Sequence, residues 1–174
     1  MDQYWLLTWT TYGSRLPGDA RGSMATVRSE SGPRAREHLP FGAPGLAAAS
    51  RQRMRGPPLV LTSAQAVTVL RELRTSAEIH GWELLAAAVM ANHVHVVVGV
   101  PGDPDPADLL RVFKAYASRE LNRRVRPVSG TWWTRSGSRR VLREEPDVIA
   151  AIRYVRAQRG ALALAGEPPE VRFG

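Results

Sequence analysis

The chain has 174 residues, a formal net charge of +8 and a sequence pI near 11.1, and 44% of its residues are hydrophobic. That length suits one domain with its own core, and the absence of cysteine excludes disulfide scaffolds, thiolate metal sites and cysteine nucleophiles. All basic residues but Lys114 are arginine. Coding bias toward GC-rich codons explains part of that preference but not the net charge. Guanidinium groups grip phosphate bidentately and stack on bases, so the surface points to nucleic acid. Asp2 stands where a secretory leader would carry positive charge, and no apolar run is long enough to span a bilayer, so a cytoplasmic protein without membrane association is expected.

Residues 4–12 mix aromatic, leucine and threonine side chains and predict a strand ending at Gly13. Between about 13 and 60 the composition turns to Gly, Pro, Arg, Ser and Ala without an apolar period, which predicts a long basic loop inserted into a single domain spanning 1–174. Arg51, Arg53 and Arg55 in that loop are candidate phosphate contacts; a solvated arginine cluster is the equal alternative. A helix begins at Thr62, where Thr62 and Gln65 have capping-box spacing, carries Ala66, Val69, Leu70, Leu73 and Ala77 on one face, and stops near His80-Gly81. Two apolar runs, 82–90 and 93–100, are separated only by Ala91-Asn92 and predict adjacent antiparallel strands.

A Pro- and Asp-rich turn leads into a second helix over 107–124 with Leu110, Phe113, Ala117 and Leu121 as its buried stripe. Thr131-Trp132-Trp133-Thr134 and a Ser-Gly-Ser break precede a candidate strand at 139–143. A third helix starts near Pro146, and an extended tail holding Pro168-Pro169 follows Gly160. The order strand, helix, strand, strand, helix, strand, helix predicts an α+β, ferredoxin-like antiparallel sheet with helices on one face. Such a layout hosts many functions, so function must be argued from a site.

His93 and His95 flank Val94 in a predicted strand, so both imidazoles project from one face. Two neutral imidazoles side by side are a ready pair of metal ligands, although an isolated pair is more often a surface or hydrogen-bonded feature. Val96, Val97 and Val98 follow the pair, where a zinc β-lactamase-like site would need more acid and histidine. The chain is too short for the barrel of an amidohydrolase. His38 and His80 are unsuitably placed to complete a two-histidine phosphoesterase. What remains is a two-histidine site that needs a third ligand and a nucleophile from another element.

The second helix offers one of each: Tyr116 lies on the edge of its apolar face and Glu120 one turn further along. Against this stand two plain alternatives, an amphipathic edge tyrosine and a helix salt bridge from Glu120 to Arg123 or Arg124.

The run Asn92-His93-Val94-His95-Val96-Val97-Val98 followed by a tyrosine-bearing helix resembles the single-tyrosine HUH transposases, in particular the REP-associated branch. The likeness extends to Tyr4-Trp5-Leu6-Leu7-Thr8-Trp9-Thr10-Thr11-Tyr12-Gly13, Phe113-Lys114-Ala115-Tyr116-Ala117-Ser118-Arg119, Thr131-Trp132-Trp133 and Ile152-Arg153-Tyr154-Val155-Arg156. It implies an HUH endonuclease-like fold in which His93 and His95 hold Mg²⁺ or Mn²⁺ and Tyr116 attacks single-stranded or hairpin DNA, leaving a 5′-phosphotyrosine and a free 3′-hydroxyl that permits rejoining. Relatives carry Gln or Asn as third ligand one turn after the tyrosine, a place held here by Glu120. Their Asn-Pro after the final helix is replaced by Gln158-Arg159-Gly160.

DNA binding is expected from Arg51, Arg53, Arg55, Lys114, Arg119 and Arg123, with Trp132 and Trp133 as candidate stacking platforms. A homodimer is a further expectation from the resemblance. The competing readings are a catalytically inactive, domesticated single-stranded DNA or RNA binding protein, an unrelated metal hydrolase, and a nucleophile at Tyr154 or Tyr12 instead of Tyr116.

Overall fold

The computed structural model describes residues 2–16 and 44–166. The greater part of the predicted basic loop, 17–43, and the Pro168-Pro169 tail lie outside the described residues. The elements in chain order are β1 (Asp2–Thr10), α1 (Pro44–Gln52), α2 (Ser63–His80), β2 (Glu83–Val89), β3 (His93–Pro101), α3 (Pro106–Asn122), β4 (Ser138–Leu142), α4 (Glu145–Arg156) and β5 (Ala163–Ala165). The five strands make one antiparallel sheet in the order β4-β1-β3-β2-β5, the α+β architecture expected from the element order.

Local chemistry sets the element ends. At α2 the Thr62 hydroxyl accepts from the Gln65 N–H and the Gln65 side chain accepts from the Thr62 N–H, so the capping box forms. The helix ends where Gly81 adopts φ 66°, a left-handed conformation that is cheap only for glycine. At α3 the Asp105 carboxylate caps Ala107 N–H, with Pro106 in the first turn. Part of the predicted loop is helical instead: α1 is built on Ala47, Ala48 and Ala49, the residue type with the highest helix propensity.

Strand alternation then divides the molecule. On one face Leu7, Trp9, Val94, Val96, Val98 and Val100 pack against the buried stripes of α2 and α3. On the other, Val97, Ala86 and Ala88 meet Val148, Ile152 and Val155 of α4. The expectation of one helical layer therefore holds for α2 and α3, while α4 lies on the opposite face. Ala86, Ala87 and Ala88 are poor strand formers by propensity, yet β2 is flanked by β3 and β5 and its alanines are fully buried, so small side chains let helices approach both faces closely. A register shift between Leu84 and Ala86 inserts one extra residue into β2 and resets which of its side chains face α4.

Candidate active site

β3 starts with His93 and its alternation sends Val94 toward α2 and α3, so His93 and His95 emerge on the α4 face. Their rings stand 4.8 Å apart, centroid to centroid, and nearly perpendicular. Both outer nitrogens are anchored. His93 Nδ1 donates to Asn92 Oδ1 at 2.7 Å, because an amide oxygen only accepts, which leaves Nε2 as a lone pair. His95 Nδ1 lies 2.9 Å from Thr8 Oγ1, its cross-strand neighbour in the β1–β3 register, and the tautomer that donates there also frees Nε2. Hydrogen bonds of this kind to the outer ring nitrogen orient metal-ligating histidines and raise their basicity.

The imidazoles are held neutral. Burial first, then the repulsion that a protonated His93 would exert and the charge on Arg15, lowers His95 from 6.5 to about 4. Burial and Arg15 also lower His93. Neutral imidazole is the ligating form.

Facing the pair is Tyr154 on α4. Its ring meets His95 edge to face at 5.5 Å, and it is 51% exposed, so the phenol is open to an incoming substrate. Gln158 sits one turn beyond Tyr154 and lines the same cleft, its amide N–H donating back to Tyr154 O at 3.2 Å. The cleft has a volume of about 880 Å³ and is also bordered by Thr8, Arg15, Thr134 and Arg135. Among the described residues no three His, Cys, Asp or Glu side chains gather into a metal-holding group. The cleft lining nevertheless holds two imidazoles and the Gln158 amide, donor types that could hold a divalent cation.

The structure does not bring Tyr116 or Glu120 to the histidines. Both belong to α3, and the sheet stands between α3 and the histidine face. Tyr116 packs its ring edge against His80 at 5.8 Å and carries the Arg119 guanidinium 4.7 Å over its face. Glu120 is bonded to Arg71 of α2 at 3.3 Å and to Arg123 at 3.2 Å. The alternatives weighed for these two residues, an edge tyrosine and a helix salt bridge, are the contacts that form. Arg119 and Arg123 are thus engaged on the far face.

The stacking platforms also move indoors. Trp132 and Trp133 are 3% and 5% exposed, with their indole N–H groups donating to Asn122 Oδ1 and to Ser118 Oγ. Lys114 points its ammonium at loop carbonyls rather than at solvent. Arg51, Arg53 and Arg55 are exposed at the end of α1 and just after it; the backbone N–H of Arg53 donates to Ala49 O and that of Arg55 to the Tyr12 hydroxyl.

Thr8, Asn92, Arg15, Arg135 and Gln158 are site residues that the sequence reading did not single out. Two signals pointed to them. Strand parity opposes the histidine face to the valine face that the amphipathic helices must cover, and Gln158 stands four residues after Tyr154, just past the end of α4.

No helix among the described residues is long and apolar enough to cross a membrane. No curated protein matches the sequence. Among solved structures, a REP-associated tyrosine transposase bound to a REP hairpin aligns with TM-score 0.48 and 12% identity, over 88% of this chain and 64% of that one. A Deinococcus radiodurans R1 protein described as a candidate transposase aligns with TM-score 0.44 and 19% identity, over 92% of this chain and 94% of that one. Residues 59–158, which run from the approach to α2 through Gln158, match the family described as "Transposase IS200 like", and by that match the chain belongs to the IS200-like transposases.

Proposed function

We propose that the cleft nicks and rejoins single-stranded DNA, with Tyr154 as the nucleophile and His93, His95 and Gln158 as the holders of a divalent cation. The observation that carries this reading is the convergence of those four side chains, from β3, α4 and the residues just after α4, on one open cleft within an IS200-like transposase chain. Tyr154 takes the role that the sequence assigned to Tyr116, and Gln158 the role assigned to Glu120.

When bound, Mg²⁺ or Mn²⁺ supplies Lewis-acid neutralisation of charge on a phosphate oxygen. The chain's own residues do the rest. Thr8 and Asn92 hold the two imidazoles in the ligating tautomer. Arg15 and Arg135 border the cleft and offer fork donors to the phosphates on either side of the scissile bond. The Tyr154 oxygen attacks phosphorus in line, the P–O3′ bond breaks, the 3′-oxygen leaves with a proton, and the phenolic proton passes to solvent. The 5′-phosphotyrosine preserves the phosphodiester energy, so a second 3′-hydroxyl reverses the attack and joins strands.

The test is denaturing electrophoresis of the protein with labelled single-stranded hairpin DNA and Mn²⁺. A covalent adduct is expected for the wild type and for Tyr116→Phe, and none for Tyr154→Phe. An adduct that survives in Tyr154→Phe refutes the assignment.

A further inference from the structure

One charged group lies off the histidine face and still holds a segment that lines the cleft. Lys114 is the only lysine of the chain and sits half-buried on α3, on the side of the sheet away from the histidines. Its Nζ donates to Thr134 O and Ser136 O, each at 3.0 Å, and to Arg135 O at 3.5 Å. An ammonium has three donors and no acceptor, and three consecutive carbonyls receive them.

The segment that carries those carbonyls forms one wall of the cleft, because Thr134, Arg135 and Ser136 line it with His93 and His95. It is pinned elsewhere too. Thr134 N–H donates to Thr10 O at 3.0 Å, and Gly137 runs so close to β1 that a Cβ there would lie 2.7 Å from Thr8 O. Thr8 is the residue that anchors His95.

We propose that Lys114 is a positioning residue that clamps the Thr134–Ser136 segment into the cleft wall and so sets Arg135 for strand binding. The inference rests on the DNA-nicking reading for its functional consequence and on hydrogen bonds alone for the clamp. It replaces the direct phosphate contact expected of Lys114 from the sequence.

The clamp depends on charge. A neutral amine keeps only two donors and turns a lone pair toward one of the three carbonyls. Burial, then Arg139, lowers the amine to about 8, so the third bond is lost on the alkaline side of that value. The charged groups around it are Arg139 of β4, Arg135 of the segment itself, and Arg111 of α3, which is paired with Asp108. Of these groups Lys114 is the one whose ionisation burial displaces. Lys114 is therefore the group there that switches.

The experiment uses the full chain with ¹³C,¹⁵N-lysine, in which one side-chain signal reports Lys114, beside amide hydrogen exchange and nicking kinetics. In the wild type, protection of residues 131–138 should fall with the same midpoint as the lysine signal. In Lys114→Met, protection of 131–138 should fall about ten- to hundredfold, the loss expected for hydrogen bonds to a charged group. Protection of α3 and Mn²⁺ affinity should stay within twofold. KM for single-stranded DNA should rise about tenfold with kcat nearly unchanged.

Unchanged protection of 131–138 in Lys114→Met overturns the clamp, as does loss spread evenly over α3. A wild type that protects this segment but never nicks DNA overturns the functional reading and leaves the clamp standing.

Discussion

Replacing Thr8 by valine keeps the β-branched shape and removes a single hydroxyl, the partner of His95 Nδ1 at 2.9 Å. His95 is 6% exposed, so water has little room to take the hydroxyl's place. An imidazole whose N–H finds no acceptor costs about 1–3 kcal/mol, and it is also free to swap tautomers, which withdraws the Nε2 lone pair from the cleft. Losing an outer-shell partner of a metal-bound histidine typically costs about 10- to 100-fold in metal affinity. That range corresponds to about 1.4–2.8 kcal/mol, the same size as the hydrogen-bond figure reached separately. Mn²⁺ titration of the DNA-free protein, followed by electron paramagnetic resonance of the free ion at pH 7.5, reads the change directly. Thr8→Ser, which keeps the hydroxyl, should bind within a few-fold of the wild type. Equal Mn²⁺ affinity in wild type and Thr8→Val would refute the ligand geometry derived for His95, and so would an equal loss in Thr8→Ser.

Glu120→Ala should leave Mn²⁺ affinity unchanged and lower stability by about 0.5–1 kcal/mol, the scale of a partly exposed ion pair, because Glu120 ties Arg71 of α2 to Arg123. A lost metal site in that variant would restore Glu120 as a ligand. For pH dependence the sign follows from His95 binding its proton at about 4 when folded against 6.5 ordinarily. The unfolded chain takes up the proton first, so metal-free stability is whole above about 6.5 and falls as pH drops toward 4, by on the order of 3 kcal/mol. Urea melts of wild type and His95→Gln across this window should differ in slope, and parallel curves would contradict the burial argument. Gly137→Ala places a methyl group 2.7 Å from Thr8 O and should destabilise by about 1–3 kcal/mol through overpacking. A melting temperature equal to the wild type would show that the segment yields freely.

Much of the fold was legible because it is written in local periods. The capping box at Thr62, the stripe of Leu110, Phe113, Ala117 and Leu121, and the paired runs around Ala91-Asn92 each form as their spacing demands. The short helix α1 was missed because its nine residues carry only one buried side chain, Ala47, too little for an apolar period to register.

Sequence alone determined that His93 and His95 share a face, since that follows from a strand's period of two and nothing else. What it left open was which faces meet. Val94, Val96 and Val98 claim α2 and α3 for their side of the sheet, which sends the histidines to α4 and leaves Tyr116 and Glu120 on the far face. The same long-range packing buried Trp132 and Trp133 and turned Lys114 inward. A residue's own period says where it points relative to its neighbours. The partner it meets there is decided by strand order and helix crossover, which only the folded chain sets.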